Sequence, residues 1–208
     1  MDLPIYKAVI SDEIDGITAI SIVENPAVET DFLKFNAQNK DKLLFNVVNE
    51  EERIIVGVIM RANFPIYRIN EFGYEYYIIY EEDTIKLMAQ KMLKDNAFNR
   101  INLEHNNNMY VNGVEMRELF IKNNERGITP KGFEDIEDGS LFATYKVLND
   151  GVWRIIKNGE FKGFSLEGYF TMNEKISDDM EKISDDMEKI SDDMEKLSDD
   201  MEKLSDDM

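Results

Sequence analysis

The chain has 208 residues, enough for one domain of ordinary size and an appendage. It contains no cysteine, which excludes disulfides, thiol catalysis and cysteine-bound metal. Its formal charge of −19 argues against a basic nucleic-acid-binding face, and no apolar run approaches the roughly 20 residues of a membrane-spanning helix. We therefore expect no nucleic-acid partner and no membrane partner.

The first part of the chain is typical of two short strands. Residues 5–11 and 17–23 are rich in β-branched residues, and a turn at 12–16 separates them. Pro26 then disfavours both helix and strand pairing, and a polar stretch follows at 36–42. We interpret residues 1–41 as an N-terminal arm that precedes the main domain.

Residues 42–173 are predicted to form the main domain, and most of its elements are strands. β-branched and aromatic runs predict strands at 43–48, 53–60, 74–80, 100–104, 114–121 and 140–147, with one more around Ser165. The stretch 123–138 carries two glycines and a proline and is predicted to be a loop.

Two stretches of this domain change to helical spacing. In the first, Asp83 or Thr84 is the predicted cap, and the apolar stripe consists of Ile85, Leu87, Met88, Met92 and Leu93. The second helix is predicted at 149–158, with Trp153 in its apolar face. The fold class is therefore mainly β with flanking helices (α+β), and we expect a small antiparallel, barrel-like domain.

The tail, residues 174–208, consists of five copies of Glu-Lys-(Ile/Leu)-Ser-Asp-Asp-Met. Apolar residues recur at alternating spacings of four and three, which is a heptad pattern and predicts a long helix. Each copy carries three acidic residues and one lysine, so the tail supplies ten of the nineteen net negative charges. Self-association through this segment is one interpretation. A solvated helical extension is the other, since methionine in every second core position specifies partners poorly.

The candidate catalytic residues are Ser165 and His105. Ser165 lies in an aromatic, strand-like run with Gly163 before it and Gly168 after it, and His105 is the single histidine of the chain. A nucleophilic serine needs a base within hydrogen-bond reach, and histidine is the usual one. If the chain has a serine–histidine pair, it must use His105.

Several stretches together resemble the XkdF-like serine proteases of tailed phages, relatives of the prohead (capsid-maturation) proteases. The resemblance covers roughly residues 17–172 and is most specific around Ser165. It is carried by the stretches 57–60, 66–68, 73–77, 102–105, 117–121 and 152–168.

This resemblance implies a cofactor-independent serine endopeptidase with the β-barrel architecture of the herpesvirus assembly protease. It implies Ser165 as nucleophile and His105 as general base. For the third residue we favour Glu118, with Glu167, Glu115 and Glu104 as alternatives. A second catalytic histidine is excluded because the chain has only one.

The resemblance also implies a place of action and a set of substrates. Such an enzyme would work in the host cytoplasm, within the immature capsid, where its substrates are capsid and scaffold proteins. The alternative function is a non-catalytic scaffold or interior head protein that uses the acidic tail for assembly.

Overall fold

The computed structural model describes residues 3–11, 15–26, 45–49, 52–70, 72–106 and 110–174. The polar stretch at 36–42 and the tail from residue 175, where the long helix is predicted, lie outside the described residues. In the described part, eleven strands and two α-helices account for the regular structure, with one short 3₁₀ turn, Ala97–Asn99. The mainly β, α+β prediction is therefore confirmed.

The strands form three sheets. One has the order β11 (Thr171–Glu174), β1 (Ile5–Val9), β6 (Glu75–Ile79), β5 (Ile66–Ile69). A second has the order β10 (Gly163–Tyr169), β2 (Gly16–Val23), β7 (Ile101–Leu103). The third has the order β3 (Phe45–Asn49), β4 (Ile54–Met60), β9 (Leu141–Val147), β8 (Val114–Ile121).

The barrel-like expectation is not met, because no closed barrel is found in the described part of the chain. Most strand pairs are antiparallel as expected, but β1 pairs with β6 and β2 pairs with β7 in parallel. Closure depends on strand tilt and register between distant segments, which alternation within one strand does not encode.

The three-stranded sheet that carries Ser165 is centred on β2. This strand lies in the segment predicted as an N-terminal arm, yet Ile20 and Ile22 are completely buried. Their face of the sheet packs into the main core together with Ile101 and Phe164. The Phe164 ring also contacts the Tyr145 ring of β9, with 5.1 Å between centroids. Apolar burial thus fixes this sheet against the third sheet.

Both predicted helices are present. Helix α1 spans Glu82–Lys94, so Asp83 and Thr84 lie inside its first turn, and the prediction that either caps it is wrong. Acidic residues in that turn instead complement the helix dipole. Leu87 and Leu93 of the predicted stripe are about half exposed, whereas Ile85, Met88 and Met92 are buried. Helix α2 spans Asp150–Lys157 and is capped by the Asn149 side chain.

Candidate functional site

A row of polar side chains crosses the three-stranded sheet on the face opposite the core. Ser165 of β10 pairs with Ser21 of β2, and Ser21 pairs with Asn102 of β7. Directly paired residues project from the same face, with Cβ atoms about 4.5–5.5 Å apart in antiparallel pairs. Glu167 lies two positions after Ser165 and therefore shares this face.

His105 reaches this row through a tight turn at the end of β7. Glu104 and His105 both have positive φ, 50° and 56°, a backbone conformation that is uncommon for residues other than glycine. The turn is held by the Asn106 amide, which donates to the Leu103 carbonyl at 3.0 Å. It folds the imidazole back over the sheet, where 47 % of the side chain remains exposed.

The hydrogen bonds of the cluster converge on one carboxylate oxygen, Glu167 Oε1. The Ser21 hydroxyl lies 2.6 Å from it, the Asn102 amide nitrogen 2.7 Å and His105 Nδ1 3.1 Å. Ser21 Oγ is also 3.1 Å from His105 Nδ1 and 2.6 Å from Asn102 Oδ1. Because Ser21 and Asn102 are completely buried, water does not compete for the contact between them.

The environment of Glu167 favours its ionised form. Burial by itself raises the pKa of this carboxyl, but hydrogen bonds from Ser21, Asn102 and His105 outweigh it, so the pKa lies below its ordinary value. An ionised Glu167 beside Nδ1 favours the tautomer that carries its proton there. That tautomer leaves Nε2 with a free lone pair, as a general base requires.

Ser165 lies on the same face as His105 but does not contact it directly. Strand β2 lies between β10 and β7, and within the described part of the chain the Ser165 hydroxyl makes no hydrogen bond. Its side chain is buried, with 9 % of the residue exposed. The serine in hydrogen-bond contact with the imidazole is Ser21.

Of the candidate third residues, the structure brings only Glu167 to His105. Glu118 and Glu115 are exposed on β8, in a different sheet, and Glu118 accepts a hydrogen bond from Thr144 at 2.7 Å. Glu104 accepts from the Glu24 amide at 2.6 Å and anchors the turn. Glu118, the preferred candidate from the sequence, is thus placed away from the imidazole.

The sequence reasoning missed Ser21 and Asn102. Each is a polar residue in an apolar strand, between Ile20 and Ile22 in one case and between Ile101 and Leu103 in the other. A polar side chain at such a position is buried only if it finds hydrogen-bond partners. A polar residue within an apolar strand was therefore the signal that could have found Ser21 and Asn102. Their hydrogen-bond partners could be identified only from the strand pairing in the structure.

The part of the chain that the structure describes shows neither a metal-binding cluster nor a membrane-spanning helix. Within it, no group of three or more histidine, aspartate and glutamate side chains is arranged to hold a metal ion. No described helix is long and apolar enough to cross a membrane.

A serine beside a histidine–carboxylate pair is an arrangement that serine hydrolases use. The family model described as "Putative phage serine protease XkdF" matches residues 42–174, which is more than half of the chain. The chain belongs to this family. No curated protein and no solved structure matches it. Ser165, His105 and Glu167 all lie within the matched residues, whereas Ser21 precedes them.

Proposed function

We propose that this chain is a serine endopeptidase in which Ser165 is the nucleophile, His105 the general base and Glu167 the third residue. The observation that carries the proposal is the Glu167–His105 contact of 3.1 Å, on the sheet face that also bears Ser165. Family membership supports the reaction class.

The chemistry follows from the free lone pair of His105 Nε2. As Ser165 Oγ forms a bond with the substrate carbonyl carbon, Nε2 takes its proton, and Glu167 stabilises the imidazolium. The same proton then passes to the leaving amine as the peptide bond breaks, and water later hydrolyses the acyl-enzyme by the reverse sequence. Base and nucleophile must come within about 3 Å in the substrate complex, and such contacts are often looser without substrate.

Ser21 is a poor candidate for the nucleophile, although it lies nearer the imidazole. It is completely buried, and its hydroxyl lies 2.6 Å from the Glu167 carboxylate. A completely buried hydroxyl that donates to this carboxylate is held in place and is closed to a polypeptide substrate. Its geometry fits a positioning role, in which Ser21 and Asn102 orient Glu167 towards His105.

We further propose that the reaction belongs to phage head maturation. The substrates would be capsid and scaffold proteins, and the enzyme would act within the immature capsid in the host cytoplasm. Membership of a phage protease family supports this setting. Self-association through residues 174–208 would concentrate the enzyme with its substrates.

A fluorophosphonate probe tests which serine reacts. We expect the wild-type chain to be labelled at Ser165, as mapped by peptide mass spectrometry, and Ser165→Ala to lose the label. Ser140→Ala is the matched control, because Ser140 is also buried but lies before β9, where it accepts from the Ala62 amide. Labelling at Ser21, or equal labelling of Ser165→Ala, would refute the assignment of the nucleophile.

Co-expression with the major capsid protein of the same genome tests the substrate. The wild-type chain should shorten the capsid protein, and Ser165→Ala should leave it intact. Full-length capsid protein in both cultures, together with intact chain at high copy in purified particles, would favour the structural role in the head instead.

A further inference from the structure

A cavity of about 590 Å³ opens beside His105 and Glu167, which form part of its wall. Ser165 does not line it, so a substrate group in this cavity would lie next to the proposed general base and not directly against the nucleophile. Four other lining residues carry the argument, namely Arg68 of β5, Tyr76 of β6, Tyr80 just after β6, and Phe170 between β10 and β11.

Arg68 is the one lining residue with a permanent positive charge. Its Nη1 donates to the Tyr67 carbonyl at 3.1 Å, and its guanidinium also hydrogen-bonds the Tyr80 side chain. No carboxylate forms an ion pair with it in the part of the chain that the structure describes. A guanidinium has five N–H donors, so these two contacts leave donors for a ligand.

Neither Tyr80 nor Glu167 forms an ion pair with Arg68 in the described part of the chain. Burial raises the pKa of Tyr80 above its ordinary value, although Arg68 opposes the rise, so the phenol stays neutral. Glu167 points its Oε1 into the Ser21, Asn102 and His105 cluster, and only 15 % of its side chain is exposed. Arg68 therefore provides a cation at the cavity wall with which no described carboxylate forms an ion pair, while the ionised Glu167 occupies another part of the same wall.

The remaining lining is suited to the aliphatic part of an amino-acid side chain. The Tyr80 and Phe170 rings are in edge-to-face contact, with 5.6 Å between centroids, and Tyr76 adds a third ring. Aromatic walls with one fixed guanidinium match a short apolar stem that ends in a planar carboxylate.

We propose that this cavity is a specificity pocket that receives an acidic side chain, glutamate or aspartate, next to the cleaved bond of the substrate. The inference rests on the proposed protease function and adds the substrate class. Glutamate should be preferred because its longer stem reaches Arg68 across the aromatic walls. The net charge of the chain does not oppose this choice at close range, since exposed charges beyond about 8 Å are largely screened at physiological salt.

Cleavage of a peptide library tests the pocket. Peptides from a digested proteome are incubated with the full-length chain, and mass spectrometry identifies the new termini. The wild-type chain should show glutamate and aspartate enriched at one position flanking the cleaved bond. We expect about tenfold or more over lysine at that position, since a fixed charge both favours the opposite sign and rejects its own.

Three variants show whether Arg68 causes the preference. Arg68→Gln should remove the acidic enrichment while neutral peptides are still cleaved, and Arg68→Glu should shift the enrichment to lysine and arginine. Arg117→Glu is the matched control, because Arg117 is exposed on β8 in a different sheet, and this variant should keep the wild-type profile.

The outcomes separate the two proposals. If the wild-type chain cleaves no peptide, the protease function fails and the pocket assignment fails with it. If it cleaves without acidic enrichment, or if Arg68→Gln keeps the wild-type profile, the pocket assignment alone is refuted. If Arg68→Gln does not fold, the wild-type profile and that of Arg68→Lys, which keeps the charge and should retain the preference, still decide the question.

Discussion

The Ser21 hydroxyl should contribute strongly to the stability of the folded chain. It is completely buried and lies 2.6 Å from both Glu167 Oε1 and Asn102 Oδ1. A hydrogen bond to an ionised group contributes about 1.5–3 kcal/mol. Since Ser21→Ala removes one oxygen and creates almost no cavity, we expect a net loss of about 3 kcal/mol.

Urea unfolding measured by tryptophan fluorescence gives this number directly. Trp153 is the single tryptophan and is only 7 % exposed, so its emission reports on the packed core. For a chain of this size the loss corresponds to a fall in Tm of about 6–12 °C. The m-value should not change, because the surface exposed on unfolding is the same.

A double-mutant cycle shows whether the loss comes from the carboxylate. In a Glu167→Gln background the bond that Ser21 makes is neutral, so Ser21→Ala should cost less, with a coupling of about 1 kcal/mol or more. Ser140→Ala is the control, because this equally buried hydroxyl serves the Ala62 amide and should show no coupling with Glu167→Gln. A loss below about 0.5 kcal/mol for Ser21→Ala, or full additivity with Glu167→Gln, would refute the reasoning.

Three further perturbations have definite expected outcomes. Because the pKa of Glu167 is lowered on folding, its contribution to stability is complete above its usual value of 4.5 and is lost as the pH falls through the folded pKa. Acid titration of the unfolding free energy should therefore show the difference between wild type and Glu167→Gln shrinking as the pH falls below 4.5, and an unchanged or growing difference would contradict this. Gly168→Ala should lower the free energy of unfolding in urea by about 1–3 kcal/mol. A Cβ at this position would lie 2.8 Å from the Phe170 ring and closer still to the Gly16 carbonyl oxygen. An unchanged unfolding midpoint would be inconsistent with that close approach. Deleting residues 175–208 should lower the oligomer mass measured by light scattering if the heptad tail associates, and an unchanged mass would identify the tail as a solvated extension.

Gly168 also shows how the backbone positions the Glu167 carboxylate. The pairing of β10 with β2 shifts register between Glu167 and Gly168, so a bulge follows directly after Glu167. Bulges bend a strand and redirect neighbouring side chains. A glycine is needed there because the Gly16 carbonyl approaches within the space that any side chain would occupy.

Most local elements could be predicted from the sequence. The strand at 114–121 matches β8, and helix α2, Asp150–Lys157, lies within the predicted range 149–158. The first helix shows where such reasoning weakens, because Leu87 and Leu93 fit the apolar stripe and yet lie about half exposed. Local periodicity identifies the apolar face of a helix. How much of that face is buried depends on the elements that pack against it.

The sequence pattern identified two of the candidate site residues but not the third. A single histidine and a serine between two glycines mark His105 and Ser165 without any knowledge of the fold. Glu118 and Glu167 were both possible partners, and they are distinguished by sheet membership, since β8 and β10 belong to different sheets.

The sequence by itself determined the mainly β class, both helices, the acidic repeats and the one histidine that a serine–histidine pair would have to use. Tertiary structure decided that β2 lies between β10 and β7, and hence that Ser21 and Glu167 contact the imidazole while Asn102 contacts Glu167. The physical reason is range. Periodicity and turn chemistry act over a few residues, whereas these contacts join positions 62 to 146 residues apart, which only the packing of the whole domain can bring together.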